Sequence, residues 1–179
     1  ENSNIEIGKY AFYDAGDDAE VNINNSSVEM RDKAFQTASV MTLSIQESGT
    51  IIGEHAFSYC EDLKNVTIGA NDTEIDKYAF YGCASLENVA IATDSDNDSL
   101  KIAIKDKAFQ NCAIQNLVIG RGEVNIGEHA FSYCENLTNA EFKGDSLEVR
   151  KYAFYSCPDS LQIKYKGEIY NKDSIEAVE

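Results

Sequence analysis

Basic residues are scarce in this sequence. Fifteen Lys and Arg face thirty-one Asp and Glu, for a formal charge of −16 over 179 residues. That balance argues against nucleic acid as a partner, because a phosphate backbone is bound by Lys and Arg patches. It also argues against an anionic membrane surface. No apolar run approaches the roughly 20 residues of a membrane span, so membrane insertion is not expected. No basic stretch followed by an apolar one, the pattern of a secretory leader, occurs in the sequence. Histidine is limited to His55 and His129, and no Cys-x-x-Cys pair is present. Hydrophobic residues at 43% and charged residues at 26% are ordinary for a folded chain and suffice to bury a core. The length suits one compact domain or one array of repeats.

An array is what the residues spell. Ala-Phe occurs seven times, with Phe at 12, 35, 57, 80, 109, 131 and 154. Successive spacings are 23, 22, 23, 29, 22 and 23. Five residues before each Phe stands Ile7, Met30, Ile52, Ile75, Ile104, Ile126 or Val149. Three residues after it stands Cys60, Cys83, Cys112, Cys134 or Cys157, replaced by Ala15 and Ala38 in the first two units. An apolar triplet follows, as in Leu63, Val66 and Ile68. The alternation at the end of the triplet predicts a short strand, and a second one precedes each Ala-Phe, as in Ile102-Ala103-Ile104. The A-F-x-x-C segment between them predicts one or two helical or 3-10 turns that place Phe and Cys inward. One such unit cannot bury its apolar side, whereas stacked units share a continuous core. The seven Phe residues are therefore expected in that core.

The consensus I-G-x-x-A-F-x-x-C-x-x-L-x-x-V-x-I resembles the BspA-type leucine-rich repeat over about residues 5 to 165. The resemblance implies an α/β repeat fold: a leucine-rich-repeat solenoid of seven units of about 22–23 residues, with short parallel strands and short helical turns. It also implies an extracellular or cell-surface bacterial protein, and some members of the family are adhesins. It carries over no catalytic residues and no cofactor. Two departures stand out. Many family repeats have Pro after the second strand, but the single proline here is Pro158. The first unit is degenerate, with Asp18 where the consensus has Leu.

A longer repeat lies within the short one. The residue two before Phe runs Tyr10, Lys33, His55, Tyr78, Lys107, His129, Tyr152, and the residue after Phe runs Tyr13, Gln36, Ser58, Tyr81, Gln110, Ser132, Tyr155. Both have a period of three units, and the block GEHAFSYC at Gly53 recurs 74 positions later at Gly127. At a strand spacing of about 4.8 Å per unit, the tyrosine pairs recur every 15 Å or so. Tyr10, Tyr13, Tyr78, Tyr81, Tyr152 and Tyr155 are thus candidate partner-binding residues, since tyrosine is common at interfaces. The other reading is that the rings only cover the edge of the turns.

Other candidates carry less chemistry. The five cysteines share one repeat position, and parallel side-chain vectors put their Cβ atoms wider apart than a disulfide needs. They read as a ladder of buried free thiols. The two histidines are three units apart, too far to share a metal ion, and no nucleophile and acid set accompanies them. The only large insertion, near residues 92–99, contains Asp94, Asp96 and Asp98 in D-x-D-x-D order. It lacks the Gly of a calcium loop and has Lys105 at the twelfth position, so a weak calcium site and a solvated turn are both open.

The organisation expected is a repeat array over 1–165 and a C-terminal cap over 166–179. Ile169, Tyr170, Ile175 and Val178 are the residues expected to cover the last unit, with Asp173 or Ser174 capping a short helix. The function expected is a non-enzymatic, adhesin-like module that binds a protein partner, a host matrix or bacterial surface protein, as a monomer and without cofactor or metal. A structural spacer and a carbohydrate-binding surface are the alternatives.

Overall fold

The computed structural model describes residues 3–24, 26–46, 49–69, 71–92 and 97–177. Its strands are, in chain order, β1 (Ser3–Ile7), β2 (Ala19–Asn24), β3 (Ser26–Met30), β4 (Val40–Gln46), β5 (Thr50–Ile52), β6 (Asn65–Ile68), β7 (Thr73–Ile75), β8 (Asn88–Ile91), β9 (Lys101–Ile104), β10 (Asn116–Ile119), β11 (Glu123–Ile126), β12 (Asn139–Phe142), β13 (Ser146–Val149), β14 (Gln162–Tyr165) and β15 (Glu168–Tyr170). The odd strands β1 to β13 form a seven-stranded sheet, and the even strands with β15 form an eight-stranded one. Pairing is parallel and follows the repeat, except that β15 returns antiparallel to β14. The chain is a parallel β-solenoid of about seven coils, each contributing one strand to each sheet.

The strand pattern explains the core. In each short strand alternate residues point inward, so Val66 and Ile68 are buried in β6 and Ile102 and Ile104 in β9. In-register pairing stacks equivalent residues: Ile52 faces Ile75, which faces Ile104, which faces Ile126. Phe35, Phe57, Phe80, Phe109, Phe131 and Phe154 stack in one column with centroids 4.8–5.5 Å apart and rings within 7° of parallel. Phe12 joins the stack at 4.8 Å from Phe35 but is 47% exposed, contrary to the expected core position. No described coil covers its other side. Close stacking also fixes a glycine: a Cβ at Gly53 would lie 2.7 Å from the Met30 carbonyl of the coil before.

The A-F-x-x-C segments are not helical, which corrects the expected helical turns. The reason lies in two backbone positions per coil. The residue two before Phe has positive φ in all seven coils, from Tyr10 at 59° to Tyr152 at 61°. So does the residue two after Phe: Asp14, Thr37, Tyr59, Gly82, Asn111, Tyr133 and Ser156. Left-handed residues at this spacing break a right-handed helix after each turn. The N–H groups divide instead into two sets. Those of Ala56, Ser58 and Cys60 bond carbonyls three residues back in their own coil. Those of His55, Phe57 and Tyr59 bond Lys77, Ala79 and Tyr81 of the next coil. The third side of the solenoid is thus a ladder of turns, and the only helical piece among the described residues is the 3-10 turn Ile175–Ala177.

The last coil is closed by residues 166–177. Ile175 is fully buried and Tyr170 packs partly against the core. Ile169 does not act as expected: it lies opposite Lys164 on the outer face and is 66% exposed. Asn171, not Asp173 or Ser174, caps the 3-10 turn, its Oδ1 accepting the Asp173 and Ser174 N–H groups at 3.0 and 2.8 Å. Val178 lies outside the described residues.

Candidate partner-binding surface

The turn ladder positions the tyrosines. Positive φ at Tyr10, Tyr78 and Tyr152 turns each chain back so that its ring meets the ring three residues on. Tyr10–Tyr13, Tyr78–Tyr81 and Tyr152–Tyr155 are edge-to-face pairs with centroids 5.7, 5.8 and 5.9 Å apart. Each pair named from the sequence is therefore brought together, and all three pairs lie on the turn side. His55 stacks on Tyr78 at 4.9 Å and His129 on Tyr152 at 5.3 Å. Lysines complete the column, with Lys33 over Tyr10 at 5.7 Å and Lys107 over Tyr78 at 5.4 Å. Beside it Gln36 donates to Ser58, and Gln110 to Ser132, at 3.1 and 2.8 Å.

Two tyrosines missed in the sequence belong to the same surface. Tyr59 meets Tyr81 edge-to-face at 5.4 Å, and Tyr133 meets Tyr155 at 5.6 Å. The signal was present, because both stand in the repeated GEHAFSYC block. The face thus carries two equivalent clusters, His55/Tyr59/Tyr78/Tyr81 and His129/Tyr133/Tyr152/Tyr155, and an N-terminal pair without them. Tyr10, Tyr13, Tyr59, Tyr133, Tyr152 and Tyr155 are 39–50% exposed. Tyr78 and Tyr81 are half-buried, their hydroxyls accepting from Lys107 Nζ and Asn111 Nδ2 of the next coil at 3.2 and 3.0 Å.

The thiols lie behind this surface and are shut away from it. All five cysteines are free and buried. Each S–H donates to the Phe carbonyl of the preceding coil, from Cys60 to Phe35 at 3.0 Å through Cys157 to Phe131 at 3.2 Å. Burial pushes the Cys60 thiol up to about 12 and Cys157 up to about 11, and raises Cys112 and Cys134 well above the ordinary range. Such groups are poor nucleophiles and poor metal ligands.

The remaining candidates do not converge. His55 and His129 each lie 3.9 Å from the neighbouring Glu54 or Glu128, and their Nδ1 atoms are buried without a hydrogen-bond partner. Among the described residues, no group of three His, Cys, Asp or Glu side chains is placed to hold a metal ion. The calcium-loop reading rests on Asp94 and Asp96, which lie outside the described residues; Asp98 is paired with Arg121 at 3.3 Å. The seven-stranded sheet carries a shallow groove of about 500 Å3 around Ile51, bordered by Glu29, Glu74 and Lys101. Of its three carboxylates, Glu29 is paired with Arg31 at 3.2 Å, Glu74 is paired with Lys105 at 3.1 Å, and Asp72 accepts from the Lys101 N–H at 2.9 Å. The eight-stranded sheet shows an exposed asparagine ladder, Asn88 donating to Asn65 at 2.9 Å and Asn116 to Asn88 at 3.1 Å.

A stacked array of equivalent coils joined by in-register parallel strands is a solenoid of the repeat class. The family model for the BspA type leucine rich repeat region matches residues 1–97 and 102–174 in six copies, and the chain belongs to that family. No curated protein and no solved structure matches it. The family is typically a bacterial surface or secreted repeat module, and such repeats commonly mediate protein interactions. Among the described residues, no helix is long and apolar enough to cross a membrane.

Proposed function

We propose that this chain is a non-enzymatic, adhesin-like module of a bacterial cell-surface or secreted protein, and that its turn face binds a protein partner. The observation that carries this reading is the recurrence of tyrosine pairs, two exposed and the middle one half-buried, every three coils on one side. Tyrosine supplies large contact area with little loss of side-chain freedom, and is enriched where interfaces concentrate their binding energy. A ladder of turns held by backbone bonds at each coil presents these rings with little ordering cost on binding.

The test compares the wild type with a variant in which Tyr10, Tyr13, Tyr78, Tyr81, Tyr152 and Tyr155 are all serine. Both are first checked for folding by circular dichroism and then used to capture partners from extracellular-matrix and bacterial-surface extracts. A protein retained by the wild type and lost by the folded variant is the expected result. Retention by both moves binding to another face. Capture of glycan rather than protein supports the carbohydrate reading, and capture of nothing by either supports the spacer reading.

A further inference from the structure

The eight tyrosines of the turn face differ in what already stands over them. Tyr10 has Lys9 and Lys33 within 5.7 Å of its centroid, Tyr78 has Lys107 at 5.4 Å, and Tyr152 has Lys151 at 4.6 Å. These rings are supplied with cations by the chain itself. Among the described residues no lysine or arginine stands over Tyr59 or Tyr133, which are 46% and 42% exposed. Tyr59 forms one wall of a hollow of about 370 Å3, whose other walls are Thr37, Ala38, Ser39, Glu61 and Asp62. Asp62 accepts a hydrogen bond from Ser39 at 2.7 Å, and neither Glu61 nor Asp62 has an ion-pair partner among the described residues. Three coils on, the sequence repeats the ring and one carboxylate as Tyr133 and Glu135, with Asn136 in place of Asp62 and Ala113 in place of Ser39. The backbone supports match, since Tyr59 donates to Tyr81 and Tyr133 to Tyr155, both at 2.8 Å.

An aromatic face attracts cations through its quadrupole, most strongly where water is partly excluded. A carboxylate beside the ring adds Coulomb attraction of the same sign. The chain's charge of −16 steers cationic segments toward it and anionic ones away. We propose that Tyr59 with Glu61 and Asp62, and Tyr133 with Glu135, are paired receptors for Arg or Lys side chains of one extended basic protein segment. This rests on the protein-binding reading above and names the chemistry of the partner. Three coils span roughly 15 Å, which an extended chain covers in about four to five residues. Basic residues at that spacing engage both corners at once, and the second contact then gains from its high effective concentration.

The experiment is an NMR titration of the labelled protein. The probe is a Gly-Ser peptide carrying two Arg-Arg pairs centred five residues apart, and a peptide with one pair runs beside it. The expected result is saturable shifts confined to both corners, with the one-pair peptide at least about tenfold weaker. Changing Tyr59→Asn and Tyr133→Asn together is expected to weaken binding about tenfold or more. Asparagine accepts positive φ more readily than other residues, so this variant keeps the turns, which its thermal melt verifies. Glu61→Gln, Asp62→Asn and Glu135→Gln together are expected to weaken binding similarly and to flatten its salt dependence. Glu148→Gln with Glu168→Gln, away from both corners, should change nothing. Equal binding by the asparagine variant, or shifts spread over the whole acidic surface, overturns the inference. If the peptide does not bind while the tyrosine-to-serine variant still loses a captured protein, the cation inference falls and the protein-binding reading stands. If both experiments are blank, both fall.

Discussion

The first and last coils are built from the same repeat, yet they bury it to very different extents. Phe154 is 1% exposed and Phe12 is 47% exposed, although each stacks on one neighbouring Phe. The difference is what lies on the other side. After Phe154 come β15, the buried Ile175, and Lys172, whose ammonium donates to the Cys157 carbonyl at 2.8 Å and pairs with Asp159 at 2.6 Å. Before Phe12 no described element covers the stack, and Ile5, Ile7 and Val21 are only partly buried. A coil's contribution to stability therefore depends on how many neighbours it has, as expected of a quasi-one-dimensional array.

The sharpest way to break that comparison is to shorten the same residue in two coils. Phe57→Ala should lower unfolding stability by about 3–5 kcal/mol, because the ring is wholly enclosed. Phe12→Ala should cost roughly 1–2 kcal/mol, since about half its surface is already in water. Equal losses in urea melts would show that the ends do not differ. At the closed end, Ile175→Ala should cost about 2 kcal/mol, toward the low end for a buried aliphatic, as a terminal turn can fray. An unchanged melt would show that this residue does not close the array.

Alkaline pH separates the coils by composition. Cys60, Cys112, Cys134 and Cys157 have thiols raised in the folded state by burial. In the unfolded chain they ionise from about pH 8.5. Their contribution is thus intact below that pH and is lost as pH rises toward about 11–12, where the folded thiols of Cys157 and Cys60 titrate. Hydrogen exchange from pH 8 to 10.5 should show the coils of Cys60, Cys112, Cys134 and Cys157 loosening before the two that carry Ala15 and Ala38. Loosening that starts at those two would count against a thiol origin. The smallest effect expected is Glu176→Gln, at about 0.5 kcal/mol, because an amide oxygen still accepts a hydrogen bond. A loss above about 2 kcal/mol would show that the charge itself matters.

The inward residues of strands and core were legible because a period near 23 fixes them: one position, one burial state, coil after coil. The turns were not. Lys33, His55 and Tyr59 carry none of the Gly or Asn signals that mark left-handed residues, and Ala-Phe followed by a small residue reads as a helical turn. Only the cross-coil bonds, which depend on the neighbouring coil, select the alternative. Phe12 and Ile169 were misjudged for a related reason. Periodicity describes a coil with two neighbours and says nothing of one with a single neighbour. Of the candidate surface, the three tyrosine pairs are visible as a threefold pattern, while Tyr59 and Tyr133 stand one position beyond it, two residues after Phe, where Asp14, Thr37, Gly82, Asn111 and Ser156 break the period.

The turn ladder has a polarity that its repetition hides. In the A-F segments every backbone bond between coils runs the same way, from an N–H of one coil to a C=O of the next, from Phe12 to Ala34 through Tyr133 to Tyr155. Peptide dipoles of about 3.5 D each, aligned head to tail, sum along the axis as they do in a helix. The positive pole falls at the last coil, where the Tyr152, Phe154 and Ser156 N–H groups hold the positions that in other coils donate to the next one. The Glu176 carboxylate lies within reach of the Tyr152 N–H at this end. The negative pole falls at the first coil, where the Ala11 and Tyr13 carbonyls hold the equivalent outward positions. The two ends are therefore electrically distinct. A terminus that suits the last coil has to bring negative charge, and the same segment moved to the first coil would meet charge of its own sign.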